Sequence, residues 1–184
     1  FICFWFKLFQ LHRCFIDEII IGGGCFWCTE AAFKEVEGVL EVTPGYAGGH
    51  TEDPSYREVC SGDTGHAEVI KIEYDSGEVS LEELLELFFR IHDPTTEDRQ
   101  GPDVGSQYRS VILYSGEEQK NRVEAFIDER RDEYEASIVT EVMELEEFYR
   151  AEERHQDYFE KNPEDAYCTM HAQPKVEKAQ KMQS

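Results

Sequence analysis

The sequence predicts an α+β domain in which helices cover a mixed central sheet of about four to six strands and long loops carry the functional residues. Three observations favour this class. Some segments alternate apolar and polar residues, others repeat apolar residues at helical spacing, and stretches rich in Gly and Pro separate them. The length of 184 residues suits one domain, and 40% apolar residues are enough to form a folded core.

The first half of the chain opens with a strand and a helix. Residues 19–21 are an apolar run that ends in three glycines, which is typical of a buried strand before a tight turn. Apolar residues at helical spacing follow over 25–36, and Gly38 is the expected stop. A short strand is expected over 39–42, inside a long turn-rich stretch that reaches Gly65, and long ordered loops are usually functional.

The second half combines helices and strands. Residues 66–74 alternate as a strand that carries Glu68 on an apolar face, which is unusual. Ser80 and Glu83 form a capping box, and the apolar stripe behind them predicts a helix that ends before His92. The remaining expectations are a loop over 93–106, a strand over 108–114, a helix over 117–135, a strand over 138–143, an amphipathic segment over 147–159 and an irregular tail from Asn162.

The charge balance excludes some partners. Forty Asp and Glu against 18 Lys and Arg give a net charge of −22, so the surface repels phosphate backbones and anionic lipids. We therefore expect no nucleic acid and no membrane partner. The carboxylates are spread along helix faces, and we interpret them as a solvated coat, of the kind that high salt favours, rather than as a site for a basic partner.

Six cysteines, at 3, 14, 25, 28, 60 and 168, do not resemble a small secreted disulfide framework, which indicates a reducing compartment. Cys25 follows the glycine turn where a helix begins, so the helix dipole would favour its thiolate; a buried structural cysteine is the alternative. Cys28 completes a C-x-x-C pair that could form a disulfide of the thioredoxin kind. Zinc would need two more ligands that no second such motif supplies, so no metal is assigned.

Eight motifs, in order along the chain, carry a family resemblance. They are GCFWCTE (24–30), GYAGG (45–49), YREVCSG (56–62), TGHAE (64–68), HDPT (92–95), RQG (99–101), DVGSQYRS (103–110) and ERHQDY (153–158). Together they resemble the A-type peptide methionine sulfoxide reductases. This resemblance implies a two-layer sandwich with a split βαβ, ferredoxin-like core wrapped by extended coil.

The resemblance also implies a mechanism. Cys25 is similar to the nucleophile that attacks the sulfoxide sulfur of oxidised methionine, leaving methionine and a sulfenic acid. Glu68 is similar to the acid that donates a proton to the sulfoxide oxygen, and its apolar surroundings would favour the neutral carboxyl. A carboxylate paired with an arginine is the alternative.

Other matched residues would surround the substrate. Tyr56 and Tyr108 resemble tyrosines whose hydroxyls bond the sulfoxide oxygen, and Asp103 resembles a carboxylate that organises the site. Phe26 and Trp27 resemble the aromatic pocket for the methyl group, with ordinary core packing as the alternative. Glu30 is a further match, and we expect it to support the structure of the site rather than to contact the substrate.

Cys168 resembles the resolving cysteine, which would attack the sulfenic acid and form a disulfide with Cys25. A mobile tail could bring it to the site. Cys28 is the rival, disfavoured because a thiol on the same helical turn must tilt to reach in-line geometry. No second tail cysteine follows Cys168, so a relay ending in two tail thiols is excluded. The resemblance implies thioredoxin or another dithiol as reductant and no bound cofactor.

The sequence therefore predicts a thioredoxin-dependent peptide-methionine (S)-S-oxide reductase that acts on free and protein-bound methionine sulfoxide, as a cytoplasmic monomer. We expect an apolar extension over 1–16, the catalytic domain with its resolving cysteine over 17–172, and a polar tail over 173–184. The extension holds Lys7, His12 and Arg13, which interrupt it short of the about 20 residues that span a bilayer. Two rival functions remain: a general dithiol oxidoreductase and an acidic interaction protein with inert cysteines.

Overall fold

A six-stranded sheet forms the centre of the computed structural model, which describes residues 15–183. Its strands are β1 (Ile16–Gly22), β2 (Val39–Ala47), β3 (Ala67–Asp75), β6 (Val111–Tyr114), β7 (Glu141–Glu144) and β8 (Phe148–Arg150), in the order β7-β6-β1-β3-β2-β8. Only the β6–β7 pairing is parallel among these strands, so the sheet is mixed. Strands β4 (Arg99–Gln100) and β5 (Asp103–Val104) form a separate hairpin.

Helices pack on one face of this sheet. They are α1 (Phe26–Phe33), α2 (Tyr56–Ser61), α3 (Leu81–Ile91), α4 (Glu117–Arg130), α5 (Tyr158–Lys161) and α6 (Gln173–Met182). Successive side chains of a strand point to opposite faces, so Ile19 and Ile21 of β1 join the large core formed with helical residues, while Ile20 joins a smaller cluster on the other face. The α+β class and the mixed sheet are confirmed.

Helix α3 follows the sequence pattern closely. The Ser80 hydroxyl accepts a hydrogen bond from the Glu83 N–H, and the Glu83 carboxylate accepts one from the Ser80 N–H, which confirms the capping box. Leu81, Leu84 and Phe88 are among its buried residues. Its boundaries agree with the prediction because caps and apolar spacing are both local signals.

Several other boundaries differ from the prediction. Strand β2 continues to Ala47 because it pairs with β3 along its length, and strand β8 was not predicted as a strand at all. The strand expected from 108 begins at Val111, the strand expected from 138 begins at Glu141, and the helix expected over 117–135 ends at Arg130. The expected extension lies outside the described residues, apart from Phe15 and Ile16, and Ile16 already belongs to β1.

The prediction of an irregular tail from Asn162 is wrong. One wide helical turn covers Cys168–Ala172, and α6 follows it with Pro174 in its first turn, where a missing N–H is tolerated. Val176 and Ala179 of α6 are buried, and the helix packs against α1. Across residues 15–183, no helix combines the length and the apolar character that crossing a membrane requires.

Candidate active site

Cys25 lies at the junction between strand β1 and helix α1. It is the N-cap residue of α1, and its carbonyl accepts hydrogen bonds from the N–H groups of Cys28 (3.2 Å) and Thr29 (3.4 Å). The preceding Gly24 has φ +91°, and a Cβ there would lie 2.7 Å from Cγ of Gln100. A glycine is therefore needed at this turn, which leads the chain from β1 into the first turn of α1.

The Cys25 and Cys28 thiols are in contact. The two thiols interact through a hydrogen bond, and the Trp27 N–H and the Tyr167 side chain also interact with Cys25 Sγ. Burial raises the pKa of Cys25 well above its ordinary value, whereas the hydrogen bond from Cys25 lowers the pKa of Cys28. The expectation of a lowered Cys25 pKa is therefore wrong: burial outweighs the local donors, and the lowered pKa belongs to Cys28.

Glu68 is buried directly beside Cys25. Its Oε2 accepts a hydrogen bond from the N–H of Phe26 (3.1 Å), the residue after Cys25, and its Oε1 has no partner among the described residues. The side chain is 1% exposed, and burial, reinforced by the Cys25 charge, raises its pKa well above the ordinary value. No arginine in the described part of the chain pairs with it, so its surroundings favour the neutral, protonated carboxyl.

Two tyrosines lie near this carboxyl. Tyr56 begins α2 and its N–H donates to Glu152 Oε1 (2.9 Å), while Tyr108 ends the turn before β6. Burial and then the Glu68 charge raise the pKa of both phenols. Both hydroxyls therefore keep their protons and can donate hydrogen bonds, and that of Tyr56 interacts with Cys60.

The aromatic pair of the sequence motif occupies two environments. Phe26 is fully buried, with its ring centroid 6.2 Å from that of Tyr56. Trp27 is half-buried and stacks on Tyr158 at 3.8 Å. Its Nε1–H donates to Nδ1 of His155 (3.2 Å). Phe26 thus belongs to the core as well as to the site, while Trp27 retains an exposed edge.

Cys168 also lies against the dithiol. It is fully buried in an apolar cluster with Cys25, Cys28 and Val176, and burial raises its pKa to about 11. Its N–H donates to Asp165 Oδ1 (3.1 Å). The thiol is held close to Cys25 by packed structure, which differs from the mobile tail that the sequence suggested.

Asp103 is tied to the C-terminal segment. Its Oδ2 accepts a hydrogen bond from the hydroxyl of Tyr167 (2.5 Å), the residue before Cys168. All eight residues that the sequence assigned to the site therefore lie around Cys25. They are Cys25, Phe26, Trp27, Tyr56, Glu68, Asp103, Tyr108 and Cys168.

Sequence reasoning missed four residues that complete these contacts. Glu152 accepts hydrogen bonds from the Tyr46 hydroxyl (2.8 Å) and the Tyr56 N–H, and the His155 ring lies 4.4 Å from that of Tyr56. Tyr167 and Lys175 come from the segment interpreted as a tail. His155 falls inside a matched motif, which was a signal; Lys175 had none. The described residues contain no group of three or more His, Cys, Asp or Glu side chains arranged to hold a metal ion.

Comparisons with known proteins agree with this geometry. A family model described as "Peptide methionine sulfoxide reductase" matches residues 17–184. A protein of Natronomonas pharaonis named peptide methionine sulfoxide reductase MsrA is 65% identical over 159 residues, which is 85% of this chain and 89% of the relative. Mxr1 from Saccharomyces cerevisiae in reduced form superposes with a TM-score of 0.80 and 36% identity, covering 85% of this chain and 91% of Mxr1. A structure of Mxr1 in complex with Trx2 matches with a TM-score of 0.57 and 27% identity, over 83% of this chain and 91% of that one.

Proposed function

The chain belongs to the peptide methionine sulfoxide reductase family and is an oxidoreductase that reduces oxidised methionine, and we propose that Cys25 is the residue that attacks the substrate. One observation carries this assignment. The N–H of Phe26, the residue after Cys25, donates a hydrogen bond to the buried carboxyl of Glu68, so a nucleophile and an acid share one site. A sulfoxide needs both, because its sulfur becomes electrophilic as its oxygen is protonated.

In the first step, Cys25 Sγ bonds to the sulfoxide sulfur while Glu68 gives its proton to the sulfoxide oxygen. The Tyr56 and Tyr108 hydroxyls donate hydrogen bonds to the same oxygen, and their raised pKa values keep them protonated. The S–O bond of the substrate then breaks as the hydroxyl passes to Cys25 Sγ, the bond between the two sulfur atoms breaks, and the proton lost by the Cys25 thiol restores the Glu68 carboxyl. The products are methionine and a sulfenic acid on Cys25, so the thiol is oxidised by the two electrons that the sulfoxide gains.

The substrate's methyl group would lie against the exposed edge of Trp27, with Phe26 behind it. An apolar wall beside polar donors suits a group that carries a methyl on one side and an oxygen on the other. Trp27 is held in place by Tyr158 and His155, so its orientation is fixed before substrate binds. Asp103 accepts a hydrogen bond from the Tyr167 hydroxyl, and Tyr167 interacts with Cys25 Sγ, so these two residues support the position of the nucleophile.

In the second step, Cys168 attacks the sulfenic sulfur of Cys25, a disulfide forms and water leaves. Its burial in one apolar cluster with Cys25 supports this assignment, because the two thiols belong to the same packed region. A dithiol protein of the thioredoxin class would then reduce the disulfide, as the complex of the related Mxr1 with Trx2 suggests. The electrons come from thiols alone, so the proposal needs no bound cofactor or metal.

The four described cysteines are free thiols, which suits a reducing compartment, and we propose a cytoplasmic monomer that acts on both protein-bound and free methionine sulfoxide. The S diastereomer is the expected substrate. The opposite hand would exchange the positions of the methyl group and the oxygen relative to Trp27 and Glu68.

A stoichiometric assay without external reductant tests these roles. Wild type, Cys25→Ser, Cys168→Ser and Cys28→Ser are mixed with each sulfoxide diastereomer, and methionine is measured per mole of protein. Wild type and Cys168→Ser should form methionine from the S form only, and Cys25→Ser should form none. Cys60→Ser is the matched control: the exposed thiol interacts with the Tyr56 hydroxyl, serine can keep that hydrogen bond, and the variant should form methionine as wild type does.

Recycling separates the two candidate resolving thiols. With thioredoxin added, Cys28→Ser should turn over repeatedly and Cys168→Ser should stop after the first turnover. Repeated turnover by Cys168→Ser would assign resolution to Cys28 or to a direct route. A protein that reduces disulfides but ignores methionine sulfoxide would instead support the general dithiol oxidoreductase.

A further inference from the structure

A small cavity of about 90 Å³ lies behind the dithiol. It is bounded by the thiols of α1, by the turn over 100–103, and by side chains of the C-terminal segment, which are Tyr167, His171 and Lys175. Glu68 and the two tyrosines beside it are not part of this lining. The lining shares Cys25 and Asp103 with the proposed substrate site, so the cavity adjoins that site and extends from it toward Cys28 and α6.

Lys175 is the cation in this cavity. It is the third residue of α6, and α6 packs directly on α1. Within residues 15–183, no side chain or carbonyl accepts a hydrogen bond from its ammonium, and no carboxylate lies within 4.0 Å of it. The nearby Asp103 carboxylate is bonded to Tyr167. Lys175 is half-buried, and a partly desolvated ammonium without a partner is stabilised when a negative charge forms beside it.

The groups that face Lys175 show where that charge forms. Burial lowers the pKa of Lys175, and the charges of Cys28, Cys25 and Asp103 raise it. In return, the Lys175 charge lowers the pKa of Cys28. Taken over all elements packed around the cavity, the facing titratable groups are Cys25, Cys28, Asp103, Tyr167, His171 and Lys178.

The two thiols share a hydrogen bond, and the position of Lys175 determines which of them carries the charge. Lys175 lines the same cavity as both thiols and acts more strongly on Cys28 than on Cys25, so a pair that has lost one proton keeps the charge on Cys28 and the remaining proton on Cys25. Because the two sulfur atoms share this hydrogen bond, the proton can pass from Cys25 to Cys28 without solvent. Such a transfer would create the Cys25 thiolate at the moment of attack.

We propose that Lys175 is a positioning residue that holds the negative charge of a singly protonated Cys25–Cys28 pair, and that Cys28 accepts the Cys25 proton as Cys25 attacks the sulfoxide. This inference rests on the proposed function. It gives Cys28 a part in the attack itself, distinct from the role of a resolving thiol.

The step balances without any further reagent. The Sγ–H bond of Cys25 breaks, its proton bonds to Cys28 Sγ, and a bond forms between Cys25 Sγ and the sulfoxide sulfur. Glu68 protonates the sulfoxide oxygen. When the S–O bond breaks, the hydroxyl passes to Cys25 Sγ, the bond between the two sulfur atoms breaks, and methionine leaves a sulfenic acid on Cys25. The Cys28 proton then returns to the Glu68 carboxylate, and the Cys28 thiolate again faces Lys175.

Helix α6 offers a matched control for the charge. Lys178 lies one turn after Lys175, but its ammonium is exposed and donates to the carbonyl of Arg90 (2.9 Å). Lys175→Met and Lys178→Met therefore make the same change in net charge on the same helix. Lys175→Arg keeps the charge, and Lys175→Gln removes it with a polar side chain should the Met variant fold poorly.

The test measures two rates against pH at fixed ionic strength. One is alkylation of Cys25, located by peptide mass, and the other is methionine formation in a single turnover. A neighbouring charge of opposite sign shifts the pKa of an ionisable group by about one unit or more. Lys175→Met should therefore move both midpoints upward by about one unit and slow both rates about tenfold at neutral pH, with equal plateaus at high pH. Lys178→Met should match wild type, and Lys175→Arg should lie close to it.

Two results would overturn the inference. One is a Lys175→Met or Lys175→Gln midpoint equal to that of wild type, and the other is an equal shift in Lys178→Met, which would assign the effect to the overall field. Cys28→Ala should slow single-turnover methionine formation at neutral pH, because it removes the group that accepts the Cys25 proton, and a wild-type rate would likewise remove Cys28 from this role. Failure of the proposed function looks different, because wild type would then form no methionine whatever the alkylation profile.

Discussion

Glu68→Gln removes an acidic proton from the active site while keeping the size of the side chain. The amide oxygen can still accept the hydrogen bond that Phe26 N–H gives to Glu68 Oε2 at 3.1 Å. Its NH₂ group can still donate to a sulfoxide oxygen but cannot transfer a proton. The substitution therefore isolates the acid role from the packing role of a residue that is 1% exposed.

The expected effect follows from the chemistry of proton donation. General acids contribute about 10²- to 10⁴-fold to the rate of the step they assist. Because the amide retains a hydrogen bond to the oxygen, we expect a loss near the lower end, about 10²-fold in the rate of methionine formation. Substrate affinity should change little, since the contacts of the methyl group with Trp27 are untouched.

The same substitution changes the pH dependence of stability. Burial raises the pKa of Glu68 from its ordinary value of 4.5 in the folded state, so the carboxyl stabilises the fold at pH below 4.5 and that contribution is lost as pH rises toward the folded pKa. The loss is about 1.4 kcal/mol for each unit of displacement. Glu68→Gln should therefore gain stability relative to wild type as pH rises above 4.5.

Rapid-mixing measurement of single-turnover methionine formation, paired with urea denaturation across pH, checks both effects. Glu73→Gln on the same strand is the matched control, because its carboxylate is partly exposed and lies 2.9 Å from Lys71. Its rate should equal that of wild type. A Glu68→Gln rate within about twofold of wild type would refute the acid role, since general acids contribute far more than that.

Three further predictions address the surroundings of the site. Burial raises the pKa of Glu30 from 4.5 to about 7, so its stabilising contribution is lost between these values, and Glu30→Gln should gain about 2–3 kcal/mol relative to wild type from pH 4.5 to pH 8 in urea denaturation; parallel curves would contradict this. Trp27→Phe loses the 3.2 Å hydrogen bond to His155 and should raise KM about fivefold with little change in kcat, whereas an unchanged KM would remove Trp27 from the methyl pocket. Added salt should lower the apparent pKa of Cys25 in alkylation by screening the net charge of −22, and an insensitive pKa would show that local groups alone determine it.

Local patterns in the sequence predicted the parts of the fold that depend on near neighbours. The capping box of α3 and the alternation of β3 are both encoded within a few residues. The alternation also placed Glu68 on an apolar face, which anticipated its burial. The motifs identified the site residues, but only the complete fold brings these residues together around Cys25.

The parts that sequence reasoning missed depend on contacts between distant segments. Strand β8 has three residues and exists because it pairs with β2, about a hundred residues earlier. Helix α6 is polar in composition and buries mainly Val176 and Ala179, so its apolar stripe is too narrow to distinguish from a tail. The pKa values of the two thiols depend on burial and on Lys175 in α6, whereas the sequence shows only the local helix dipole.

The central claim is that the sulfoxide oxidises Cys25, and chemical trapping of the intermediate tests it most directly. Cys168→Ser is reduced, mixed with one equivalent of methionine S-sulfoxide and dimedone, and mapped by peptide mass alongside the measured methionine. The account predicts one equivalent of methionine and a dimedone adduct on Cys25. Methionine formed while Cys25 remains an unmodified, reduced thiol would contradict it.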